Sequence, residues 1–346
     1  MMKKKKSILN SLVYFFNSIF ALLLLLAYVI PYVKPDTLGS FASISLITPI
    51  LILINLIFLV YWLIRLRRAF LVSFIILAIG FPNLTRFYKL SGKKVLLVDD
   101  IKVMSYNVRM FNKYQWIKED SIVGKIDHLI DQKAPDILCL QEFAPTDELT
   151  LDYPYKHIIY SKSNKQFGQA IFSKFKIINK GSLDFENTGN NILFADVKIE
   201  QDTIRVYNIH LQSLKIDPKK ENFGEKDATQ LRNRISAAFK VQQHQVEEFL
   251  IHQTTVNYPV IVAGDFNNTA FSWPYKSIVK GKLDTYVEAG KGFDKTFDFI
   301  FPSRIDFILV DKNIQVNHYK SYRDNYSDHF PIMARLDRAS LFNNKQ

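Results

Sequence analysis

Val260-Ile261-Val262-Ala263-Gly264-Asp265-Phe266-Asn267 is an apolar run that ends abruptly in a glycine, a carboxylate and an amide. It predicts a buried strand over residues 258–263, with Gly264 permitting a tight exit that sets Asp265 and Asn267 at its end. Taken alone, GDFN is equally an ordinary Asx turn. Its weight comes from the other strands, several of which end in the same way.

Working outward, strand-like runs occupy residues 102–106, 136–141, 169–172, 192–199, 203–211 and 305–310, with a final strand after Pro331. One amphipathic helix is expected over 120–132, presenting Ile122, Ile126, Leu129 and Ile130 on one face and closed by Pro135. A second is expected over 228–252, burying Leu231, Ile235, Ala238, Val246, Phe249 and Leu250. The polar stretch 217–227 reads as an exposed loop. Mostly β structure lies between the two helices, which argues for sheets covered by helices rather than a simple alternating parallel sheet. Residues 91–346 contain no linker, repeat or low-complexity tract and suit one large domain.

Unusual polar residues punctuate these strands. Asn107 follows Met104-Ser105-Tyr106, Glu142 follows Ile137-Leu138-Cys139-Leu140-Gln141, and His210 lies in Tyr207-Asn208-Ile209-His210-Leu211. Asp306 is embedded in Arg304-Ile305-Asp306-Phe307-Ile308-Leu309, and Ser327-Asp328-His329-Phe330-Pro331 precedes the last strand. Each has a structural reading: a cap, a turn, a core histidine, or for Asp306 a pair with Arg304. Asp306 is the hardest to dismiss, because a charge inside an apolar strand is costly without a partner; His329 is the functional candidate for that partner.

The ordered series SYNVR, DILCLQE, GQAIFSK, NIHL, GDFN, RIDFIL and SDHFP resembles the endonuclease/exonuclease/phosphatase superfamily over about residues 100–337. This superfamily includes pancreatic-type deoxyribonucleases, abasic-site endonucleases, inositol polyphosphate phosphatases and neutral sphingomyelinases. The resemblance implies a mixed α/β (α+β) class, with two packed sheets between helices in a four-layer α/β/β/α sandwich and the site at one rim. It also implies that Glu142 is the main Mg²⁺ ligand, helped by Asn107 and Asp328. Asp265 and Asn267 would position or activate water and hold a phosphate oxygen, His210 would contact the phosphate, and Asp306 with His329 would complete the site. Some family members carry tyrosine where His210 aligns. Arg109 is read either as a support for the site or as a surface ion pair.

The physical logic agrees with that ligand set. Mg²⁺ takes oxygen ligands and often only one or two carboxylates plus substrate phosphate, with Mn²⁺ the alternative. The lone Cys139 rules out an intrachain disulfide and reads as a core thiol.

The first third is different in kind. Residues 11–30 and 44–64 are apolar runs long enough to cross a bilayer; a third, 69–81, stops short at Pro82 and Asn83 and reaches the lower limit for spanning only if counted through to Thr85. Residues 1–90 are therefore expected to form a membrane anchor of two or three helices, and 91–346 the catalytic domain. A cleaved signal peptide is the rival reading of the first run, but the run is too long and lacks a small-x-small site. Lys3–Lys6 and Arg65, Arg67 and Arg68 flank the first two spans, which places residues 32–43 outside as a short loop. A third crossing puts the catalytic domain on the outer face, although Arg86, Lys89, Lys93 and Lys94 blur the charge bias. Of the net charge of +12, residues 1–90 carry +9, leaving +3 for the rest. The basic excess therefore belongs mainly to the anchor and does not argue for nucleic acid.

The expected partners are the lipid bilayer and a phosphoester substrate: nucleic acid, a phospholipid head group or a sugar phosphate. No protein partner is expected. The alternative from another class is a membrane-tethered binding module that keeps the fold without turnover.

Overall fold

Two six-stranded sheets face one another in the computed structural model, which describes residues 8–162, 165–186, 188–216, 225–299 and 303–342. In the first sheet the order is β13 (Val316–Ser321), β14 (Ile332–Leu336), β2 (Ile101–Asn107), β3 (Ile137–Phe143), β5 (Gly168–Ser173), β4 (Tyr155–Tyr160). In the second it is β10 (Lys282–Asp284), β12 (Asp306–Asp311), β9 (Val260–Asp265), β8 (Asp202–His210), β7 (Ile192–Ile199), β6 (Lys176–Ser182). A small ribbon pairs β1 (Tyr88–Lys89) with β11 (Gly292–Phe293).

Alternating side chains drive the packing. Val103, Ile137, Cys139 and Ile171 of the first sheet meet Ala195, Val206, Ile261 and Ile308 of the second in one dry layer. The opposite faces are covered by α6 (Ile122–Lys133) over Met104, Leu138 and Leu140, and by α7 (Glu225–Gln253) over Tyr207, Val262 and Leu309. The result is the expected α/β/β/α sandwich. Cys139 is a fully buried core thiol, and burial alone pushes its pKa well up.

In the two large sheets the strands not anticipated are the four edges, β4, β6, β10 and β13; the short β1–β11 ribbon was not anticipated either. β6 is mostly exposed along its length, so it has no buried face to impose an apolar alternation. Both expected helices form within a few residues of their predicted limits. Most of the loop expected at 217–227 lies outside the described residues, and its last three residues open α7.

Each sheet holds one parallel pair among antiparallel neighbours: β2 with β3, and β8 with β9. Asn107 and Glu142 lie at the carboxyl ends of the first pair, and His210 and Asp265 at those of the second. Stacking the sheets brings these ends to one rim.

Preceding the sandwich are α1 (Ile8–Val29), α2 (Pro35–Leu38), α3 (Ile44–Ile64), α4 (Phe70–Ile79) and α5 (Phe81–Phe87). Two segments, Ile8–Tyr32 and Pro35–Ile64, are long and apolar enough to cross a membrane. The third stretch is not one straight helix: α4 and α5 are bent 78° apart at Gly80, with Pro82 in the first turn of α5. Gly80 sits where any Cβ would strike the Tyr28 ring. Polar rungs tie α1, α3 and α4 together: Asn17 Nδ2 donates to Ser73 Oγ at 2.7 Å, and Trp62 Nε1 donates to Asn17 Oδ1 at 2.9 Å. Lys3–Lys6 lie outside the described residues.

The connection between α1 and α3 rests on the sandwich. Asp36 N donates to Gln243 Oε1 at 3.0 Å, Gln243 Nε2 returns a bond to Asp36 Oδ2 at 2.9 Å, and Lys34 pairs with Glu247 at 2.8 Å. Ala42 packs with Ile235, Ala238 and Phe239 of α7, while Phe271 inserts among Leu24, Leu51 and Leu77.

Candidate active site

Register aligns the first three residues. His210 pairs with Asp265 across β8–β9, and Asp265 with Asp306 across β9–β12, so the three sit in a row at one end of the second sheet. Gly264 makes this possible: its φ is +145°, and a Cβ there would lie 1.9 Å from the Ile209 carbonyl oxygen. Only glycine lets β8 and β9 approach this closely at the turn.

The first sheet contributes Asn107 and Glu142. Glu142 occupies an irregularity between Gln141 and Phe143 with φ +49°, and this bulge takes its side chain out of the ladder. Asn107 Nδ2 lies 3.1 Å from Asp265 Oδ2 and 3.5 Å from Glu142 Oε1, joining the two sheets across the rim.

Asp306 turns to His329: its two oxygens lie 3.0 and 3.2 Å from Nδ1. The alternative partner, Arg304, is held instead by Asp284 at 2.7 Å. His329 Nε2 then faces Asp265 Oδ2 at 3.8 Å, and His210 Nε2 approaches the same oxygen at 3.7 Å. A water or phosphate oxygen beside either gap reaches both atoms at about 2.8 Å. Among the described residues His210 Nε2 has no hydrogen-bond partner although it is buried, so the site presents a nitrogen awaiting one.

Environment sorts the titrating groups. Burial and nearby His329 depress His210 to about 3, leaving it neutral. Burial also opposes charge on His329, but Asp306 and Asp265 outweigh it and raise the imidazole to about 10. Asp265 is raised to about 7, chiefly by burial, with the His329 charge pulling the other way. A carboxylate near neutrality beside a cationic imidazole is suited to exchanging a proton with water.

Glu142 is set apart. Burial and the charge of Asp328 raise its pKa. Its close partners are the Asn107 amide and His210 Nε2, 4.0 Å away. A half-buried carboxylate with another negative charge nearby fits a cation, and the oxygens of Glu142 and Asp328 suit a hard divalent ion; Asn107 turns its Nδ2 toward Glu142, while its Oδ1 accepts from Arg109 N at 3.0 Å. Asp265, Asp306 and His329 also bring donor atoms within 4.8 Å of one another. There, however, both Asp306 oxygens are engaged with Nδ1, a geometry that handles protons. Asp328 pairs with Arg109 at 3.2 Å, and the Arg109 guanidinium stacks 4.3 Å from the Trp116 ring.

Asn267 has φ +48°; its N–H donates to Asp265 Oδ1 at 2.7 Å and its Nδ2 to the Leu211 carbonyl at 2.9 Å. It clamps Asp265 in place. Residues not singled out from sequence support the rest. Ser327 Oγ donates to the Asn107 carbonyl at 2.8 Å and accepts from His329 N at 3.2 Å, and Thr296 Oγ1 accepts from Asp306 N at 3.0 Å. Beneath the rim Gln141 Nε2 donates to Asn208 Oδ1 at 2.7 Å, and Asn208 Nδ2 donates to the Leu140 and Ala170 carbonyls at 2.9 Å. Polar residues amid apolar strands in QE, GQA and NIH were the available signal for this network.

A family model described as the endonuclease/exonuclease/phosphatase family matches residues 104–329, which include every candidate residue above. A second, described as a domain of unknown function, matches residues 10–87. No curated protein matches the chain. Among solved structures, an endonuclease/exonuclease/phosphatase from Bacteroides vulgatus is 18% identical, covers 69% of this chain and 98% of its own, and superposes with a TM-score of 0.52. The human Nocturnin catalytic domain with bound sulfate anion gives 15%, 69%, 93% and 0.50. D. rerio TDP2 humanized by 14 mutations gives 16%, 69%, 99% and 0.51. These likenesses show the fold, and the match over most of the sandwich shows the family: the chain belongs to the endonuclease/exonuclease/phosphatase family.

Proposed function

We propose that this chain is a membrane-anchored, divalent-metal-dependent hydrolase of phosphoester bonds. The observation that carries the reading is the convergence of Asn107 and Glu142 from one sheet with His210, Asp265 and Asp306 from the other, closed by His329. Glu142, Asn107 and Asp328 would hold Mg²⁺, with Mn²⁺ the alternative; when bound, the ion offsets negative charge on the phosphoester. The chain's own residues do the rest. Asp265 Oδ2 takes a proton from water held beside it, and the Asn267 N–H and Asn107 amide keep that carboxylate aimed. His329, cationic and oriented by Asp306, donates through Nε2 to a phosphate oxygen, while neutral His210 offers a second contact.

Packing supports one side of the membrane for the catalytic domain. Residues 34–42 contact α7, so the sandwich belongs on the side of the α1–α3 connection. Arg65, Arg67 and Arg68 stand at the far end of α3, and cationic ends are retained in the cytoplasm. That combination supports an outer location for the catalytic domain.

The test is metal-dependent turnover by the full chain over a panel of DNA, RNA, phospholipid, sugar phosphate and aryl phosphate substrates. Loss of turnover on chelation and in Glu142→Gln is expected. Unchanged turnover in Glu142→Gln would contradict its assigned role.

A further inference from the structure

The sandwich is wedged against the helices directly behind its active-site loop. From Asp265 only four residues lead to Thr269, whose Oγ1 donates to the Ser45 carbonyl at the start of α3 at 3.3 Å. Four residues span at most about 14 Å, so the reacting end of β9 lies close to the membrane helices. Phe271, two residues on, is already buried among them.

At this junction runs a crevice. Leu46 and Ile50 of α3 form one wall with Phe87 and Phe271, and Arg86 and Arg304 line the same space. Ile50 is 40% exposed, on a helix that qualifies as a span. With α3 in a bilayer, the exposed edge of Ile50 borders lipid.

The two cations differ. Arg304 is balanced by Asp284 at 2.7 Å and Asp294 at 3.9 Å, yet it is buried and its Nη2 has no hydrogen-bond partner among the described residues. Arg86 bonds Asn83 Oδ1 at 3.0 Å and lies over the Tyr275 ring, and among the described residues it forms no ion pair with a carboxylate. A guanidinium without a carboxylate partner beside an apolar wall is the pairing that an anionic amphiphile requires; Asp294, which also lines the crevice, is engaged by Arg304 and Tyr319. Two ring contacts separate the crevice from the site. Phe299, which lines it, stacks on Phe297 at 6.3 Å, and Phe297 lies 5.0 Å from the His329 ring.

We infer that this crevice seats a membrane phospholipid, with its chain along Leu46, Ile50 and Phe271 and its phosphate toward Arg86, so that the substrate reaches the active site from the bilayer. The inference rests on the phosphoesterase reading for the word substrate; the binding site stands on the crevice alone.

The test uses the full chain in phosphatidylcholine nanodiscs carrying phosphatidic acid with a diazirine in its acyl chain, with labelled peptides mapped after irradiation. Label is expected to concentrate on peptides holding residues 44–52 and 268–276, and to fall about tenfold in Ile50→Trp. Arg86→Gln should lower labelling by phosphatidic acid several-fold while leaving labelling by a diazirine diacylglycerol unchanged. Label spread evenly over the lipid-facing helices overturns the inference. So does undiminished crevice label in Ile50→Trp and Arg86→Gln proteins that melt and elute like the wild type. In the same nanodiscs, hydrolysis of soluble bis(p-nitrophenyl) phosphate reads the catalytic assignment separately. Turnover without crevice label overturns only the lipid site, and crevice label in a protein that hydrolyses no phosphoester overturns only the catalytic reading.

Discussion

The two carboxylate oxygens of Asp306 straddle His329 Nδ1, at 3.2 and 3.0 Å, and leave Nε2 as the nitrogen that faces Asp265. An amide at position 306 cannot hold that proton in the same way or stabilise the imidazolium. Asp306→Asn should therefore lower kcat by about 10²–10⁴-fold with little change in KM. Steady-state kinetics on any turned-over phosphoester check this, and a fall in KM affinity alone would assign Asp306 to binding instead.

Gly264 is a backbone requirement with catalytic consequences. Gly264→Ala forces a Cβ into the Ile209 carbonyl at a φ of +145°. A destabilisation of at least about 3 kcal/mol is expected, read as a large drop in Tm. A variant that melts with the wild type would show that β8 and β9 can separate at this point.

Acid sensitivity should trace partly to Asp196. Burial raises its pKa, but hydrogen bonds from Arg205, Asn179 and Tyr258 outweigh it and hold the carboxyl below its ordinary value. A depressed folded-state pKa contributes stability that is complete above the unfolded value, about 3.9, and is lost as pH falls through the folded one. Thermal melts should thus weaken below about pH 4. Asp196→Asn should flatten that acid limb while costing about 3–5 kcal/mol at neutral pH, because Arg205 is left buried without its partner. An identical acid limb in the variant would assign the loss to other carboxylates.

Cys139 is fully buried, so the wild type offers a blank background for thiol labelling. Thr37 and Arg67 are exposed at opposite ends of α3 and its approach. On intact cells a membrane-impermeant maleimide should label Thr37→Cys and spare Arg67→Cys until the membrane is opened. The reverse pattern would place the catalytic domain in the cytoplasm.

Much of this arrangement was legible in the amino-acid order. Apolar strands ending in Asn107, Glu142, His210 and Asp265 announced a rim, because strand ends are where side chains from separate strands can converge. The Asp306–His329 pair followed from the cost of an unpartnered charge in an apolar strand. Edge strands such as β6 were not legible, since a strand with no buried face carries no alternation. Neither was the bulge that re-aims Glu142, which depends on pairing with β5, nor the clamping of Asn267 by the Leu211 carbonyl. The break at Gly80 was partly legible, since Pro82 interrupts the apolar run, but its angle was not: hydropathy says nothing about Tyr28 packed against the glycine. The docking of residues 34–42 on α7 lay furthest from reach, as it joins positions some 207 apart in the chain.

The central claim is metal-dependent phosphoester hydrolysis at this rim. It is tested most directly by measuring turnover of the full chain with Mg²⁺ titrated against a chelator, in the wild type and in Glu142→Gln. The account predicts activity that rises with Mg²⁺, disappears on chelation, and falls by about 10²-fold or more in the variant at every metal concentration short of saturation. A folded wild type that binds the ion yet hydrolyses no phosphoester, or a Glu142→Gln enzyme with an unchanged Mg²⁺ dependence, would contradict it.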